Sequence, residues 1–369
     1  MDLSLLPDGG MRWLDASGPK ATIVLSTRIR LARNVRGIPF SQRAKDSDRT
    51  AVLERVSEAA ASTDHLGSAV AFHLDEMERP ERQLLHERHL VSKELAGLER
   101  EARPRAGAAL LVQDQVGVMV NEEDHLRLHG MWSGFDLEDA YAAVESVDAE
   151  LGRLVPFAFH PEFGYLTSCP TNAGTGLRAS VLIHLPGLVL TKEINKVLQG
   201  LSQVGLTFRG LYGEGSEVVG NLFQLSNQTT LGKTERELLD HLGKLVRQVM
   251  EYEERARQIL LRDATAILED KVWRAFGLLR YARTLSFEET MNLLSGVRLG
   301  VGLGLIPNVG MYTLNKLLVF TQPAHLAAAQ GRVLADEEVP VRRAAFVRQV
   351  LEAEVGRRGP SAESPPTQG

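Results

Sequence analysis

Between Thr234 and about residue 283 the chain has no proline and only two glycines, Gly243 and Gly277, in a stretch dominated by Glu, Leu, Arg, Ala and Gln. These residues lose little side-chain freedom in a helix, and nothing in the stretch removes a backbone donor, so it reads as long helix. Apolar residues at three- and four-residue spacing predict further helices at 287–298, 309–320 and 341–354, with Pro307 and Pro323 between them. Residues 236–355 are therefore expected to form an all-helical C-terminal domain. The polar, proline-rich end, 356–369, is expected to be a disordered tail.

The first part has a different texture. After an N-terminal segment, 1–20, residues 21–235 mix short β-like runs with helical stretches, without the regular strand–helix alternation of a doubly wound fold. Strands are predicted at 21–25, 108–112, 116–120, 179–185 and 220–226, and helices at 47–62, 79–96, 137–152 and 191–204. The fold class is α+β, one sheet covered by helices, followed by the helical domain.

At 369 residues and 44% apolar content the chain can bury ordinary cores. Its single cysteine, Cys169, excludes a disulfide framework and a multi-cysteine zinc site, and points to a reducing, cytoplasmic compartment. The start, MDLSLLPDGGMRW, lacks the basic and apolar regions of a signal peptide, and no uncharged apolar run reaches the roughly 18 residues that span a bilayer. A net charge of −5 offers no global attraction to nucleic acid. Neither nucleic acid nor a membrane is an expected partner.

Generic nucleotide motifs fail on spacing. GKT at 232–234 would end a phosphate-binding loop only with glycine at 227, where Asn227 stands. The glycine-rich run 300–310 follows no clear strand and lacks dinucleotide-binding spacing. Four other segments bear charge in unusual patterns. STRIRLARN (26–34) places Arg28 and Arg30 just after a predicted strand, where period two points both to one face; they read as polyphosphate ligands or as solvated surface arginines. NEEDH (121–125), with Arg127 beyond it, reads equally as a site or a solvated loop. YLTSCPTNAGTGLRAS (165–180) combines Cys169, a Pro-Thr-Asn turn, two glycines and Arg178; a lone cysteine is most often a small buried hydrophobe. RGLYGEGSEVVGN (209–221) carries Arg209 and Glu214 in a glycine-rich connection that also suits an ordinary hairpin.

In this order the four segments resemble the signature segments of the ATP:guanidino phosphotransferases, the family of arginine and creatine kinases. The resemblance covers residues 20–235, and the CPTN segment is highly specific. Phosphagen kinases carry a helical domain ahead of their STRIR-like segment, where this chain has 25 residues, and an arginine where this chain has Tyr212. Both departures, with the C-terminal helical domain, resemble the bacterial protein arginine kinases, which phosphorylate arginine side chains in proteins and are linked to stress response and protein quality control. A kinase of free arginine or another small guanidino compound is the alternative. A non-catalytic phosphoarginine binder fits the intact Glu123, Cys169 and Glu214 poorly.

The resemblance implies ATP contacts from Ser26, Thr27, Arg28, Ile29 and Arg30, from His89 in ERHLVSKEL near the base, and from Arg127. It implies others from Arg178, Ala179, Ser180, Val181 and Leu182, and from Arg209, Gly210, Leu211, Tyr212 and Gly213. The five arginines would cage the phosphates, because a planar guanidinium donates two parallel hydrogen bonds to phosphate and keeps its charge. Glu123 and Glu214 match the carboxylates that clamp the acceptor guanidinium, with Cys169 beside them as a thiolate favoured by nearby arginines. Mg²⁺ is expected to arrive with ATP, with no metal site built from protein alone. Expected partners are protein substrates with accessible arginines, an activator or adaptor protein, and a second copy of the chain. EVPVRRAAFVRQVL (338–351) resembles the phosphoarginine effector segment of these kinases, Arg-Asp-x-x-Arg-Ala. It keeps Arg343 and Ala344 but has Val339 and Pro340 in the first half, so Arg342, Arg343 and Arg348 read either as a degenerate effector site or as a solvated helix face.

Overall fold

The computed structural model describes residues 7–41, 43–99, 102–210 and 218–357. The chain divides into two compact units between Ala256 and Arg257.

The first unit is built on strands β1 (Val24–Arg33), β2 (Val70–His73), β3 (Ala109–Gln113), β4 (Val116–Val120) and β5 (Leu126–Ser133). A two-residue hairpin, β6 (Phe159–His160) and β7 (Gly164–Tyr165), precedes β8 (Leu177–His184), β9 (Leu206–Arg209) and β10 (Leu222–Asn227). The main sheet has eight strands in the order β2-β3-β4-β5-β1-β8-β10-β9, every neighbouring pair antiparallel. Connections between antiparallel strands need no crossover helix, which explains the irregular texture of the sequence.

Side chains alternate across a strand, and this divides the sheet into two faces. Ile29 and Leu31 of β1, Leu126 and Leu128 of β5, Ala179 and Val181 of β8 and Leu225 of β10 lie on one face, all buried. Helices α1 (Asp46–Ala60), α3 (Leu137–Leu154) and α5 (Ile194–Gln203) cover it with Val52 and Val56, Val144 and Leu151, and Leu198 and Leu201. On the other face α2 (Arg79–Glu87) and the segment after it pack Leu85, Leu90, Val91 and Leu95 over Phe72, Leu110 and Met119 of β2, β3 and β4. That cover stops at the β4 end and leaves the middle of this face open.

Several expected boundaries move, each for a local reason. The strand expected at 21–25 is β1, which continues through STRIRLAR, because arginines on the open face do not interrupt the ladder. The helix expected over 79–96 ends at Glu87, since His89 takes a left-handed φ of 61° that an α-helix cannot continue.

Composition changes at Thr234, where α6 (Glu235–Asp263) begins, yet the helix up to Ala256 belongs to the first unit. Leu238, Leu242, Val246 and Val249 join the core there. Its fully buried Glu253 accepts the amides of Gly187 and Leu188, both at 2.9 Å, at the start of α4 (Pro186–Leu190).

The second unit is helical, as expected. It contains α7 (Thr265–Tyr281), α8 (Phe287–Gly302), α9 (Met311–Phe320), α10 (Pro323–Gln330) and α11 (Glu338–Arg357). Helices α7 and α8 cross closely, with Gly300 against Val272: a Cβ on Gly300 would lie 2.3 Å from a Val272 methyl. On α11, Arg343 is 3% exposed and donates from Nε to the Thr321 carbonyl (2.8 Å) and from Nη1 to Leu285 (2.9 Å). Ala344 is fully buried. The reading of Arg342, Arg343 and Arg348 as one solvated face is thus corrected for Arg343, which holds two carbonyls left over at helix and loop ends.

Glu253→Ala strands two buried amides and will lower stability by about 2 kcal/mol. Urea titration of the purified protein measures it, and a change within error of zero would show that this cap carries no weight.

Candidate active site

The open face of the sheet is the floor of a cleft of about 770 Å³. Strand register puts all five expected arginines on it. Arg30 of β1 stands between His129 of β5 and Arg178 of β8, and Arg28 between Met131 and Ser180. Arg127 of β5 is opposite Ala32, and Arg209 of β9 is opposite Gln224 of β10, itself opposite Leu182. Cross-strand partners share a face, so Ser26, Ser180 and Leu182 accompany the arginines. Ile29, Ala179 and Val181 do not: their side chains lie in the opposite core. Thr27, also on that face, accepts the Asp136 amide (3.0 Å) and donates to Gly134 (2.8 Å), which sets the start of α3.

Such a cage is internally repulsive. The Nε atoms of Arg28 and Arg30 are buried without a hydrogen-bond partner among the described residues. Burial, and then the charge of Arg127, pulls the Arg28 pKa down to about 10. Arg30 is pushed well below the ordinary arginine range by burial and by Arg28, Arg178 and Arg127. Orphaned donors and crowded like charges around an open cleft suit a polyanion such as the triphosphate of ATP.

Arg127 differs from Arg28 and Arg30. Burial works against its charge, but Glu122, Glu123 and Asp124 outweigh it and hold the pKa above normal. Its fork is gripped by Glu122 at 2.7 Å and Glu123 at 2.8 Å. The four ionisable residues of NEEDH thereby split into two pairs. Asp124 is fully buried and accepts from Asn34 Nδ2 (2.7 Å) and the Ser168 amide (2.6 Å). His125 Nδ1 accepts the Val35 amide (3.0 Å), so Nε2 carries the proton and donates to Pro39 (3.0 Å). These two residues pin the loop, while Glu122 and Glu123 face the cleft. Burial raises the Glu123 pKa against the pull of Arg127, with Glu122 and Asp124 adding to the rise. Glu122 did not emerge from the motif, because nothing in five consecutive letters says which acid a strand-borne arginine will reach.

The cysteine loop meets the same end of the cleft. Asn172 Nδ2 lies 3.5 Å from Glu123 Oε2, and Cys169 Sγ is 3.0 Å from Thr171 Oγ1. Cys169 is only half-buried, so it is not a packed core residue. At the other end the ring of His89 stands edge-on to Trp13, centroids 5.6 Å apart, and burial together with Arg28 lowers its pKa to about 3, leaving it neutral. Gly210 follows β9 directly and is buried. Leu211, Tyr212, Gly213 and Glu214 lie outside the described residues.

Arginines on one face of a cleft with a carboxylate pair at its end suit a polyanion and a cation side by side, and residues 51–256 match the ATP:guanido phosphotransferase C-terminal catalytic domain. This chain belongs to the ATP:guanido phosphotransferase family. Residues 265–362 match the protein-arginine kinase McsB C-terminal domain. Among relatives, the protein-arginine kinase of Brevibacillus brevis is 45% identical over 342 residues, 92% of this chain and 94% of that one. The protein-arginine kinase of Bacillus subtilis is 40% identical over 361 residues, 97% of this chain and 98% of that one. Solved structures similar to this chain include the duplicated taurocyamine kinase of Schistosoma mansoni with bound transition state analog components. It is 28% identical with a TM-score of 0.58, and the match covers 69% of this chain and 35% of that one. Lombricine kinase, 24% identical with a TM-score of 0.55 over 69% of this chain and 70% of that one, shares the fold.

The cage makes a measurable trade. Its depressed arginine pKa values mean that the charged forms cost folding free energy throughout the neutral range, the cost easing only as pH rises through the folded pKa. Arg30→Met will therefore raise the thermal midpoint of the ligand-free protein and shrink the further rise on adding ATP. A lower ligand-free midpoint with an undiminished ATP shift would show that Arg30 is a structural residue.

Proposed function

We propose that this chain is an ATP-dependent protein-arginine kinase that transfers the γ-phosphoryl group to arginine side chains in proteins. The observation that carries the reading is the placement of five arginines on one sheet face with the Glu122 and Glu123 carboxylates at the end of the same cleft. The match to both domains along the chain and the protein-arginine kinase relatives support it.

The arginines cradle the phosphates, whose charge relieves the burial and mutual repulsion that lower the Arg28 and Arg30 pKa values. Magnesium would arrive with ATP, held by the nucleotide, and would supply charge screening to the transferring phosphoryl group. An acceptor guanidinium is a poor nucleophile until it is oriented and loses a proton. Glu123 holds its fork and takes that proton as the N–P bond forms and the bond to the bridging oxygen of ADP breaks. Its raised pKa suits a base that must bind a proton during the reaction and release it afterwards. Glu214 supplies the second carboxylate of the clamp, and Cys169 aligns the acceptor from the adjacent loop. Two carboxylates on a cation and five cations on a polyanion divide the work between acceptor and donor with little covalent chemistry by the protein.

The reading is tested with the purified protein, ATP, magnesium and an unstructured arginine-rich protein, with free arginine in a parallel reaction. Acid-labile phosphate on the protein's arginines is the expected product. Transfer to free arginine alone would make the chain a small-molecule guanidino kinase. Glu123→Gln will reduce turnover by on the order of a hundredfold or more while ATP affinity stays near normal. In the unaltered protein, activity will fall as pH drops through the raised Glu123 pKa, giving an acid limb above the ordinary glutamate value of about 4.3. Near-normal turnover of the Gln variant would remove Glu123 from the mechanism.

Regulation by phosphoarginine through α11 is proposed to be weak or absent. Val339 and Pro340 supply no charge, and Arg343 is committed to the Thr321 and Leu285 carbonyls. A ligand without differential contacts to two states shifts neither. Titrating free phosphoarginine into the kinase assay will give little stimulation; a marked rise that vanishes in Arg343→Ala would reverse this conclusion.

A further inference from the structure

Arg33 ends β1 on the face opposite Arg28 and Arg30, and it is 2% exposed. Its Nε and Nη2 grip Asp148 of α3 at 2.9 and 2.7 Å. Its Nη1 donates to the Thr175 carbonyl at 2.9 Å and to that of Ala32 at 2.8 Å. The guanidinium lies over the Tyr165 ring, 3.5 Å from its centroid. Tyr165 and Thr175 are the two ends of the loop that carries Cys169 and Asn172.

That loop is closed at its base. The Tyr165 amide donates to Gly174 (2.8 Å) and the Gly174 amide to Tyr165 (3.2 Å). Gly176 passes so close that a Cβ there would fall 2.7 Å from Arg33 Nη1. A salt bridge at this depth is weak evidence for stability, because apolar residues of similar volume join a helix to a sheet equally well. An apolar residue has no donor for the Thr175 carbonyl and no cation for the Tyr165 ring. The arrangement is matched to the loop, beyond what joining α3 to the sheet requires.

We infer that Arg33, held by Asp148, is a positioning residue for the acceptor side of the reaction. One strand then carries both halves of the geometry. Its open face holds two phosphate ligands, and its last residue grips the base of the loop beside Glu123, so the donor-to-acceptor distance is fixed by the rise of β1, about 3.3 Å per residue. In-line transfer is sensitive to this distance, since a shift of about 1 Å costs on the order of a hundredfold in rate.

The inference rests on the assignment of the cysteine loop to the acceptor, and the experiment separates the two. Asp148→Asn, Tyr165→Leu, Tyr165→Phe and Glu123→Gln are compared for kcat, KM for ATP, thermal midpoint and the alkylation rate of Cys169, the chain's one cysteine. Asp148→Asn and Tyr165→Leu are expected to lower kcat by about tenfold or more, to leave KM for ATP within about twofold, and to change the alkylation rate severalfold. Tyr165→Phe, which keeps a ring under the guanidinium, is expected to retain turnover. If Asp148→Asn does not fold, the two Tyr165 variants decide alone. Normal kcat in folded Tyr165→Leu, or a kcat loss matched by a rise in KM for ATP with unchanged alkylation, overturns the positioning role. Normal turnover in Glu123→Gln instead overturns the acceptor-side assignment on which the role rests.

Discussion

Every part of the site depends on the side-chain alternation of β1. With a period of two, Arg28 and Arg30 occupy the face opposite Ile29 and Leu31, and a slip of one residue would exchange the two sets. The exchange is prevented by the apolar face, where α1 and α3 bury the sheet with Val52, Val56, Val144 and Leu151. Cations that repel each other across neighbouring strands stay together because the core on the far side of the sheet gives them nowhere else to go. Binding energy for a polyanion is thus stored during folding, drawn from burial of hydrocarbon that never touches the ligand.

The opposed carboxylates show the same economy. The four ionisable residues of NEEDH divide into two that build the loop and two that face the cleft, and the division follows from where the backbone turns at Asn121, whose φ is 60°. Asp124 and His125 fold back onto Asn34, Val35 and Pro39, all just beyond β1. Glu122 and Glu123 are left facing Arg127. The acidic end of the cleft is therefore anchored to the same strand that supplies its basic floor.

Much of this was legible in the letters. Period two correctly put Arg28 and Arg30 on one face, and the proline-free stretch after Thr234 marked the change to helix. Three things were hidden, each for a physical reason. The strand β5 alternates only over Leu126, Arg127, Leu128 and His129 and loses the period at Gly130, Met131 and Trp132, so four letters after an acidic loop did not mark it, whereas its pairing with β1 and β4 does. The helix at 79 stops where the backbone of His89 turns left-handed, a preference of one residue that helical spacing in the flanking letters masks. Arg33 drew no reading of its own, because its partner Asp148 lies far along the chain and only the packing of α3 on β1 brings them together. The boundary inside α6 belongs to the same class: composition changes where a helix begins, but a compact unit ends where the contacts thin out.

The position of β1 in the sheet also has a consequence for the protein during its synthesis. It is synthesised before both of its neighbours, β5 and β8, and the second of these is not complete until residue 184. Pairings so distant along the chain form slowly, because loop closure must be achieved before any ladder bond rewards it. A nascent chain therefore displays the STRIR arginines long before it can organise them. Through that interval the segment is basic and unpaired, and it acquires its specificity only when the middle of the sheet closes.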